Sequence, residues 1–228
     1  MTYDNLRKEV FRASRAVIDA GLVSFAWGNV SGVDRAAGVF GILPADAPLE
    51  DCCRADVVVL SLKTGEPVDG NASPAPDAPL HRYLYQQSPD VGGIVHVRSA
   101  YATSWAQARR AIPCLGAAHA DYFNGAIPVA RPLTARELRS DYKRNLARTI
   151  VECLSEFGLT PGEMPGVLLP HHGPVTWGPS CPAAVRHAVM LEEIARIAYQ
   201  TLQLDPAAQE VSKVFLNRHY LRDRRVNG

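Results

Sequence analysis

The sequence lacks any uncharged apolar run that approaches the roughly 20 residues needed to span a bilayer. Its opening residues, MTYDNLRKE, also lack the apolar stretch of a secretion signal. No run of basic residues with interleaved aromatics occurs, and 24 basic against 23 acidic residues give a formal net charge of +1. We therefore expect a cytoplasmic protein that binds neither membranes nor nucleic acid.

Cysteine is scarce and shows no pairing pattern. The five cysteines are an odd number and never occur in the C-x-x-C spacing of zinc or redox sites. We interpret all five as reduced thiols, because no local histidine pairing marks Cys114 or Cys181 as a nucleophile. The cysteines are Cys52, Cys53, Cys114, Cys153 and Cys181.

Internal repeats and low-complexity segments are also missing. With 228 residues, 47% hydrophobic and 21% charged, the composition is that of a globular chain able to bury a sizeable core. We expect one domain spanning residues 1–228.

Helical periodicity is present at both ends of the chain and between. Apolar residues recur at three- and four-residue spacing over residues 5–20, and Gly21 follows as a stop. Thr134 and Glu137 form a T-x-x-E capping box before a helical pattern that stops at Gly158. Ser99 can cap another helix. Further helices are predicted over residues 78–87, 99–110, 180–205 and 207–222.

Short apolar runs bounded by Gly, Asp and Pro are concentrated in the middle of the chain and predict strands. The predicted strands are Trp27–Val33, Gly38–Leu43, Val57–Leu62, Gly92–Val97 and Gly166–Leu169. Strands that alternate with helices in this way favour an α/β sandwich, with one sheet and helices on both of its faces.

Histidines lie at the ends of two of these strands. His96 closes one strand, and His171 and His172 follow another. Converging imidazoles bind divalent transition metals such as zinc. Strand capping or a hydrogen bond in the core explains the same histidines equally simply, so spacing alone leaves both interpretations open.

Four segments in one order resemble landmarks of the class II aldolase and adducin family, in particular its ribulose-phosphate 4-epimerases. They are GLVSFAWGNVSGVD, GGIVHVRSAYATSWAQA, HADYFNGAIP and HHGPVTWG. The resemblance runs from Leu6 to Arg222 without large gaps. It implies a three-layer α/β/α sandwich with a mainly antiparallel central sheet, and a homotetramer with sites at subunit boundaries.

The resemblance also implies a lyase or isomerase. Such enzymes reversibly cleave a carbon–carbon bond next to a hydroxyl group, and a divalent ion, zinc or manganese, stabilises the enolate. The family holds this ion with an H-x-H pair and a third histidine. His96 and His172 match two of these ligands, but Arg98 stands at the remaining position, and a guanidinium cannot coordinate a cation. His171 and His81 are candidate substitutes.

The residues that bind phosphate in the family have changed as well. Relatives carry Lys-Pro-Ser-Gly and Ser-Ser-Asp, where this chain reads Leu43-Pro44-Ala45-Asp46 and Ala75-Pro76-Asp77. A lysine and three serines are lost, and Asp46 adds charge of the wrong sign. Asn29 remains from that pocket, and a phosphorylated substrate is therefore not expected.

Two carboxylates and one further histidine match catalytic positions of the family. Asp77 corresponds to a carboxylate beside the metal and Asp121 to a catalytic acid or base. His219 could contribute from an adjacent subunit. The residues alone also allow Asp77 to be a helix N-cap and Asp121 to fix a turn.

Three hypotheses follow. In the first, the chain is a diverged enzyme acting on a small non-phosphorylated hydroxy-carbonyl or carboxylate substrate, with Arg98 replacing the metal or binding the substrate carboxylate. In the second, it is a conventional metal-dependent epimerase or aldolase that holds its ion with His96, His172 and a carboxylate such as Asp77. In the third, it is a non-catalytic scaffold or binding protein.

Overall fold

A single sheet organises the chain, which a computed structural model describes over residues 3–23, 28–44, 52–70 and 72–227, with side chains described to residue 221. Seven strands lie in the order β4-β3-β2-β1-β5-β7-β6. Every neighbouring pair is antiparallel. The strands are β1 Gly28–Asp34, β2 Val39–Ile42, β3 Val58–Ser61, β4 Pro67–Asp69, β5 Gly93–Val97, β6 Gly166–Leu169 and β7 Gly173–Gly178.

All five predicted strands are confirmed as β1, β2, β3, β5 and β6, although Trp27 lies outside the described residues. Two strands were not predicted. β4 is a three-residue edge strand, largely exposed, within a segment that is rich in turn residues. β7 was missed because its sequence, GPVTWG, begins with glycine and proline and is buried on both faces, so that no alternation marks it.

Helices enclose the sheet, with a 3-10 turn at Arg54–Asp56. The helices are α1 Asp4–Asp19, α2 Ala78–Gln87, α3 Ala100–Ala108, α4 Ala117–Tyr122, α5 Ala135–Leu138, α6 Tyr142–Glu156, α7 Cys181–Leu204 and α8 Lys213–Asn227. Among these described helices, none combines the length and the apolar character needed to cross a membrane.

Two helix predictions need correction, and one helix was missed. The capping box of Thr134 and Glu137 is present, but it starts only the one-turn helix α5. The amide of Asn145 donates to Glu137 O at 3.0 Å and to Ser140 Oγ at 2.9 Å, which separates α5 from α6. The last helix starts at Lys213 rather than at residue 207, and α4 was not predicted.

Two hydrophobic cores lie on opposite faces of the sheet. The apolar stripe of α1 packs with the first half of α7 against one face of the sheet. α1 contributes Leu6, Val10, Ala13 and Val17, and α7 contributes Cys181, Ala184, Val185 and Ala188. α2 and α6 supply Leu80, Leu84, Leu146 and Ile150 to the core on the other face. Strand residues alternate between the cores, as Val95 and Ile94 do on β5. The α/β/α sandwich with an antiparallel sheet is confirmed.

The N-terminus of α3 is capped from another helix. Ser99 occupies the predicted N-cap position, but its hydroxyl makes no capping hydrogen bond. Instead, Glu192 on α7 accepts hydrogen bonds from the backbone N–H groups of Tyr101 at 2.8 Å and Ala102 at 2.9 Å. A carboxylate satisfies these amides better than a hydroxyl because it also interacts favourably with the helix dipole.

Replacing this carboxylate should therefore destabilise the fold. We expect Glu192→Ala to lower the free energy of unfolding by about 1–2 kcal/mol, the usual cost of losing an N-cap. Urea denaturation followed by circular dichroism measures this change. Glu193→Ala is the matched control, because Glu193 makes an exposed ion pair with Arg196. Equal effects of the two substitutions would contradict the proposed cap.

Candidate active site

Polar side chains converge where the N-terminus of α2 meets β1 and β5. Asn29 on β1 lies opposite His96 on β5 in the strand register, so both side chains leave the same face of the sheet. Asp77 directly precedes α2 and lies above them. Asp77 and His96 are both buried, with 6% and 5% of their surface exposed.

The carboxylate of Asp77 is the centre of this group. Its Oδ2 accepts hydrogen bonds from Asn29 Nδ2 at 2.8 Å and from His96 Nδ1 at 2.9 Å. Its Oδ1 accepts from Lys143 Nζ at 2.5 Å. Asp77 occupies the predicted N-cap position of α2, but its side chain makes no capping hydrogen bond.

Electrostatics keep this carboxylate ionised. Burial by itself would raise the pKa of Asp77, but the hydrogen bond and charge of His96, together with Lys143, hold that pKa well below its usual range. Because the carboxylate accepts from His96 Nδ1, a neutral His96 ring carries its proton on Nδ1 and a lone pair on Nε2. Nε2 is buried and has no partner among the described residues.

Sequence reasoning missed Tyr142 and Lys143, which begin α6. The hydroxyl of Tyr142 lies 2.5 Å from His172 Nε2, while His172 Nδ1 donates to Pro170 O at 2.9 Å. Nδ1 therefore carries the proton of the neutral ring, and Nε2 accepts from Tyr142. Tyr142 and Lys143 reach the site through the tertiary packing of α6. No periodic pattern in the sequence marks either of these two residues.

Arg98 is exposed and follows β5 at the edge of this group. Burial lowers the pKa of His172, with further lowering by the charges of His96, Lys143 and Arg98. Burial and Asp77 raise the pKa of Tyr142, while Arg98 lowers it. The guanidinium thus acts on both members of the Tyr142–His172 pair.

His171 and His81, the two candidate substitute ligands, do not occupy positions equivalent to those of His96 and His172. His171 is exposed and has a left-handed backbone with φ 66° in the turn before β7. It is not placed as a substitute ligand. His81 is fully buried on α2, one turn after Asp77.

The remaining predicted pair lies elsewhere in the chain. His219 on α8 donates through Nδ1 to Asp121 Oδ1 on α4 at 2.8 Å. The ring of Phe215 stacks on His219 with centroids 4.4 Å apart. Asp121 lies within a helix, so the interpretation as a turn residue is wrong.

Comparison with known proteins decides the family. Residues 8–199 match the sequence profile of the Class II Aldolase and Adducin N-terminal domain. The chain is 40% identical over 217 residues to proteins named L-ribulose-5-phosphate 4-epimerase UlaF from Salmonella paratyphi B and Salmonella typhi. These matches cover 95% of this chain and 94% of each relative.

The chain belongs to the class II aldolase and adducin family. Its curated relatives are isomerases, and it is therefore assigned to an enzyme family. A solved L-fuculose 1-phosphate aldolase has a TM-score of 0.81 at 20% identity, covering 96% of both chains. The l-fuculose-1-phosphate aldolase from Thermus thermophilus has a TM-score of 0.70 at 20% identity, covering 89% of this chain and 98% of its own. At such identities these structures support the fold alone.

Enzymes of the family generally depend on a divalent metal, but the residues of this chain do not fit one. The rings of His96 and His172 are neighbours, with centroids 6.4 Å apart, and the Nε2 lone pair of His96 would suit a metal ion. However, Tyr142 engages Nε2 of His172, and Asp77 is paired with the ammonium of Lys143. Among the described residues, no group of three or more His, Cys, Asp or Glu side chains could hold a metal ion. The two predicted ligands therefore lie together without a third that completes the set.

A glycine holds the turn before β7 against the end of β5. Gly173 has φ 117°, and a Cβ atom there would lie 2.7 Å from Val97 O. We expect Gly173→Ala to lower the free energy of unfolding by about 2 kcal/mol or more, because neither the backbone nor the contact tolerates a side chain. Thermal denaturation tests this. Gly116→Ala, which adds a Cβ into open space, is the control, and a Gly173→Ala protein as stable as this control would refute the close approach.

The helix that carries Asp121 depends on a neutral histidine. Burial lowers the pKa of His119 to about 4, although its hydrogen bond to Gly125 O raises it. Because the folded pKa lies below the unfolded value of about 6.5, the unfolded state takes up the proton first. Stability should therefore fall by about 2–4 kcal/mol as the pH drops from about 6.5 to 4.

Unfolding measured in urea between pH 7 and pH 4 tests this, with His119→Gln as comparison. The substituted protein lacks the titrating group, and its stability should change less over the same interval. Parallel pH profiles for the two proteins would show that His119 does not contribute.

Proposed function

We propose that the chain is a class II aldolase/epimerase-family enzyme that acts on a small non-phosphorylated hydroxy-carbonyl substrate bearing a carboxylate. The reaction passes through an enolate-type intermediate, and Arg98 and Lys143 replace the family's metal. The observation that carries this proposal is the Lys143–Asp77 ion pair, which brings an ammonium group to the buried carboxylate that also contacts His96.

The charge of the group favours an anion. Asp77 contributes one negative charge, and Lys143 and Arg98 contribute two positive charges. A divalent cation would meet this positive excess as repulsion, whereas a substrate carboxylate would neutralise it. Arg98 can bind a carboxylate with two N–H donors.

The described parts of the two segments that correspond to the family's phosphate-binding residues contact each other. Pro44 and Pro74 form an antiparallel bridge, and the backbone N–H of Ala75 donates to Leu43 O at 3.2 Å. This donor is thus unavailable for a phosphate group, which supports a non-phosphorylated substrate. Ala45 and Asp46 lie outside the described residues.

The proposed chemistry uses groups of this chain. A base removes the proton of the substrate hydroxyl, the adjacent carbon–carbon bond breaks, and its electron pair passes to the carbonyl fragment as an enolate. The guanidinium of Arg98 and the ammonium of Lys143 stabilise the developing oxyanion. Re-addition to the other face of the aldehyde, followed by return of the proton to the alkoxide, gives an epimer, whereas protonation of the enolate and release of both fragments completes an aldol cleavage.

The proton transfers fall to Asp121 and His219 in this proposal. Their hydrogen bond joins α4 to α8, whereas the Asp77 group joins α2, β1, β5 and α6. We propose a homotetramer in which this pair, supplied by an adjacent subunit, completes the site. Asn29 then acts with Arg98 in substrate binding.

The second candidate function is a conventional metal-dependent sugar-phosphate 4-epimerase. The observation in its favour is the 40% identity to proteins named L-ribulose-5-phosphate 4-epimerase UlaF over nearly the whole chain. It requires Tyr142 to leave His172 and an ion to bind beside Arg98. The match to isomerases disfavours the non-catalytic alternative.

The metal content of the purified protein distinguishes the proposed enzyme from the metal-dependent epimerase. After incubation with zinc or manganese and gel filtration, elemental analysis should find far less than one ion per chain in the wild type. Turnover of a carboxylated hydroxy-carbonyl substrate should persist in the presence of a chelator. Arg98→Met and Lys143→Met should each lower turnover about 100–1000-fold, the typical effect of losing an oxyanion donor.

Arg98→His is the informative counterpart, because it restores the family's H-x-H pattern and should raise metal content without restoring turnover of the carboxylated substrate. A wild type that holds one ion per chain and epimerises L-ribulose 5-phosphate would overturn the proposal. That result would establish the second candidate instead.

A further inference from the structure

Lys143 differs from the other lysines of the chain in its surroundings. The sequence contains four lysines, and Lys8, Lys63 and Lys213 are exposed. The side chain of Lys143 is 24% exposed, and its ammonium group is paired with the carboxylate of Asp77, whose side chain is 9% exposed. Asp77 therefore anchors the pair in the protein, and Lys143 is the member that a small molecule reaches more readily.

The contacts of this pair join a nucleophile, a base and an orienting group. Nζ of Lys143 donates to Asp77 Oδ1 at 2.5 Å. The other oxygen of the same carboxylate accepts from Asn29 Nδ2 at 2.8 Å. A nucleophile within hydrogen-bond reach of a base, which is itself held by a third group, is the arrangement that covalent catalysis uses. The geometry of the pair thus allows more than an electrostatic role.

An amine can supply the electron sink that the family obtains from a metal. Lysine amines form imines with carbonyl compounds. A protonated imine withdraws electrons from the neighbouring carbon, as a Lewis acid does when it binds a carbonyl oxygen. The described side chains do not provide three ligands for an ion, whereas they do place an amine against the buried carboxylate.

We propose that Lys143 is a catalytic nucleophile that forms an iminium with the carbonyl group of the substrate. The substrate class in this inference rests on the proposed function. Asp77 Oδ1 takes one ammonium proton as Nζ adds to the carbonyl carbon, and a second proton moves from nitrogen to the carbonyl oxygen. Asp77 returns its proton to the resulting hydroxyl group, the C–O bond breaks, and water leaves. One ammonium and one carbonyl thus give one iminium and one water.

The iminium then accepts the electron pair that bond cleavage releases. When the substrate hydroxyl loses its proton and the adjacent carbon–carbon bond breaks, the pair forms an enamine, which is the nitrogen analogue of the enolate. Attack of the enamine on the aldehyde restores the iminium, whereas protonation of the enamine carbon completes a cleavage. Addition of water to the iminium releases the carbonyl product and regenerates Lys143.

Arg98 complements the amine at the other end of such a substrate. The charges of Lys143 and Arg98 both lower the pKa of His172, so the two cations lie within electrostatic reach of one ring. In a 2-oxo acid the carboxylate and the carbonyl group are adjacent. Arg98 can bind the carboxylate with two N–H donors while Lys143 reacts with the carbonyl group. Pyruvate, which carries both groups, is therefore a suitable probe.

Reductive trapping with pyruvate tests the nucleophile without an assay of turnover. Sodium cyanoborohydride reduces an iminium to a stable secondary amine, and mass spectrometry of peptides measures the modification of each lysine. Lys143 should be modified at least about 10-fold faster than the exposed lysines, because a neighbouring base accelerates the addition. Lys8, Lys63 and Lys213 are the internal control. Modification of Lys143 no faster than that of these three would overturn the proposal.

Two substitutions separate the covalent role from the electrostatic one. Asp77→Asn removes the base and should slow modification of Lys143 about 100-fold, with the exposed lysines unchanged. Trapping in the wild type decides the proposal even if this variant does not fold. Lys143→Arg keeps a cation beside Asp77 but cannot form an iminium, so it should lose turnover as fully as Lys143→Met. Undiminished turnover in Lys143→Arg would contradict the nucleophile.

The outcomes also distinguish this inference from the proposed function. Turnover of a carboxylated substrate in the presence of a chelator, without trapping at Lys143, would refute the iminium and leave the electrostatic role. Selective trapping at Lys143 in a protein that holds one ion per chain and epimerises L-ribulose 5-phosphate would refute the proposed function and leave the reactive amine.

Discussion

The site depends on one buried carboxylate with three donors. An ionised Asp77 in the interior is tolerable only when its charge is balanced and its oxygens accept hydrogen bonds. Asn29, His96 and Lys143 meet both needs, and they come from β1, β5 and α6. The same contacts that stabilise the ion therefore fix where α2 and α6 lie relative to the sheet.

The neighbouring groups of the site are paired in the same way. The lone pair of His172 and the charge of Asp77 each have a partner within the chain. Tyr142 engages the first and Lys143 engages the second. The arrangement is thus satisfied internally, and a metal ion would have to displace both contacts in order to bind.

Much of the architecture could be predicted, because apolar periodicity and glycine stops mark α1, α2 and the five strands with clear apolar runs. Strand ends also drew attention to His96, and the family resemblance added Asn29, Asp77 and Arg98. Tyr142 and Lys143 could not be found this way. The helical pattern runs on from residue 134 without a break, whereas α5 ends at Leu138 and α6 begins at Tyr142, with Asn145 hydrogen-bonded back to Glu137 O and Ser140 Oγ.

Membership of a family fixes the scaffold more firmly than the chemistry performed on it. The sandwich positions a strand end, a helix start and a turn at one place, and these elements persist here with Gly173 holding the turn against β5. The side chains set on these elements, among them Asp77, Lys143 and Arg98, carry the charges that a ligand meets. The backbone alone therefore does not decide which substrate the chain binds, and the charges of these side chains have to be considered with it.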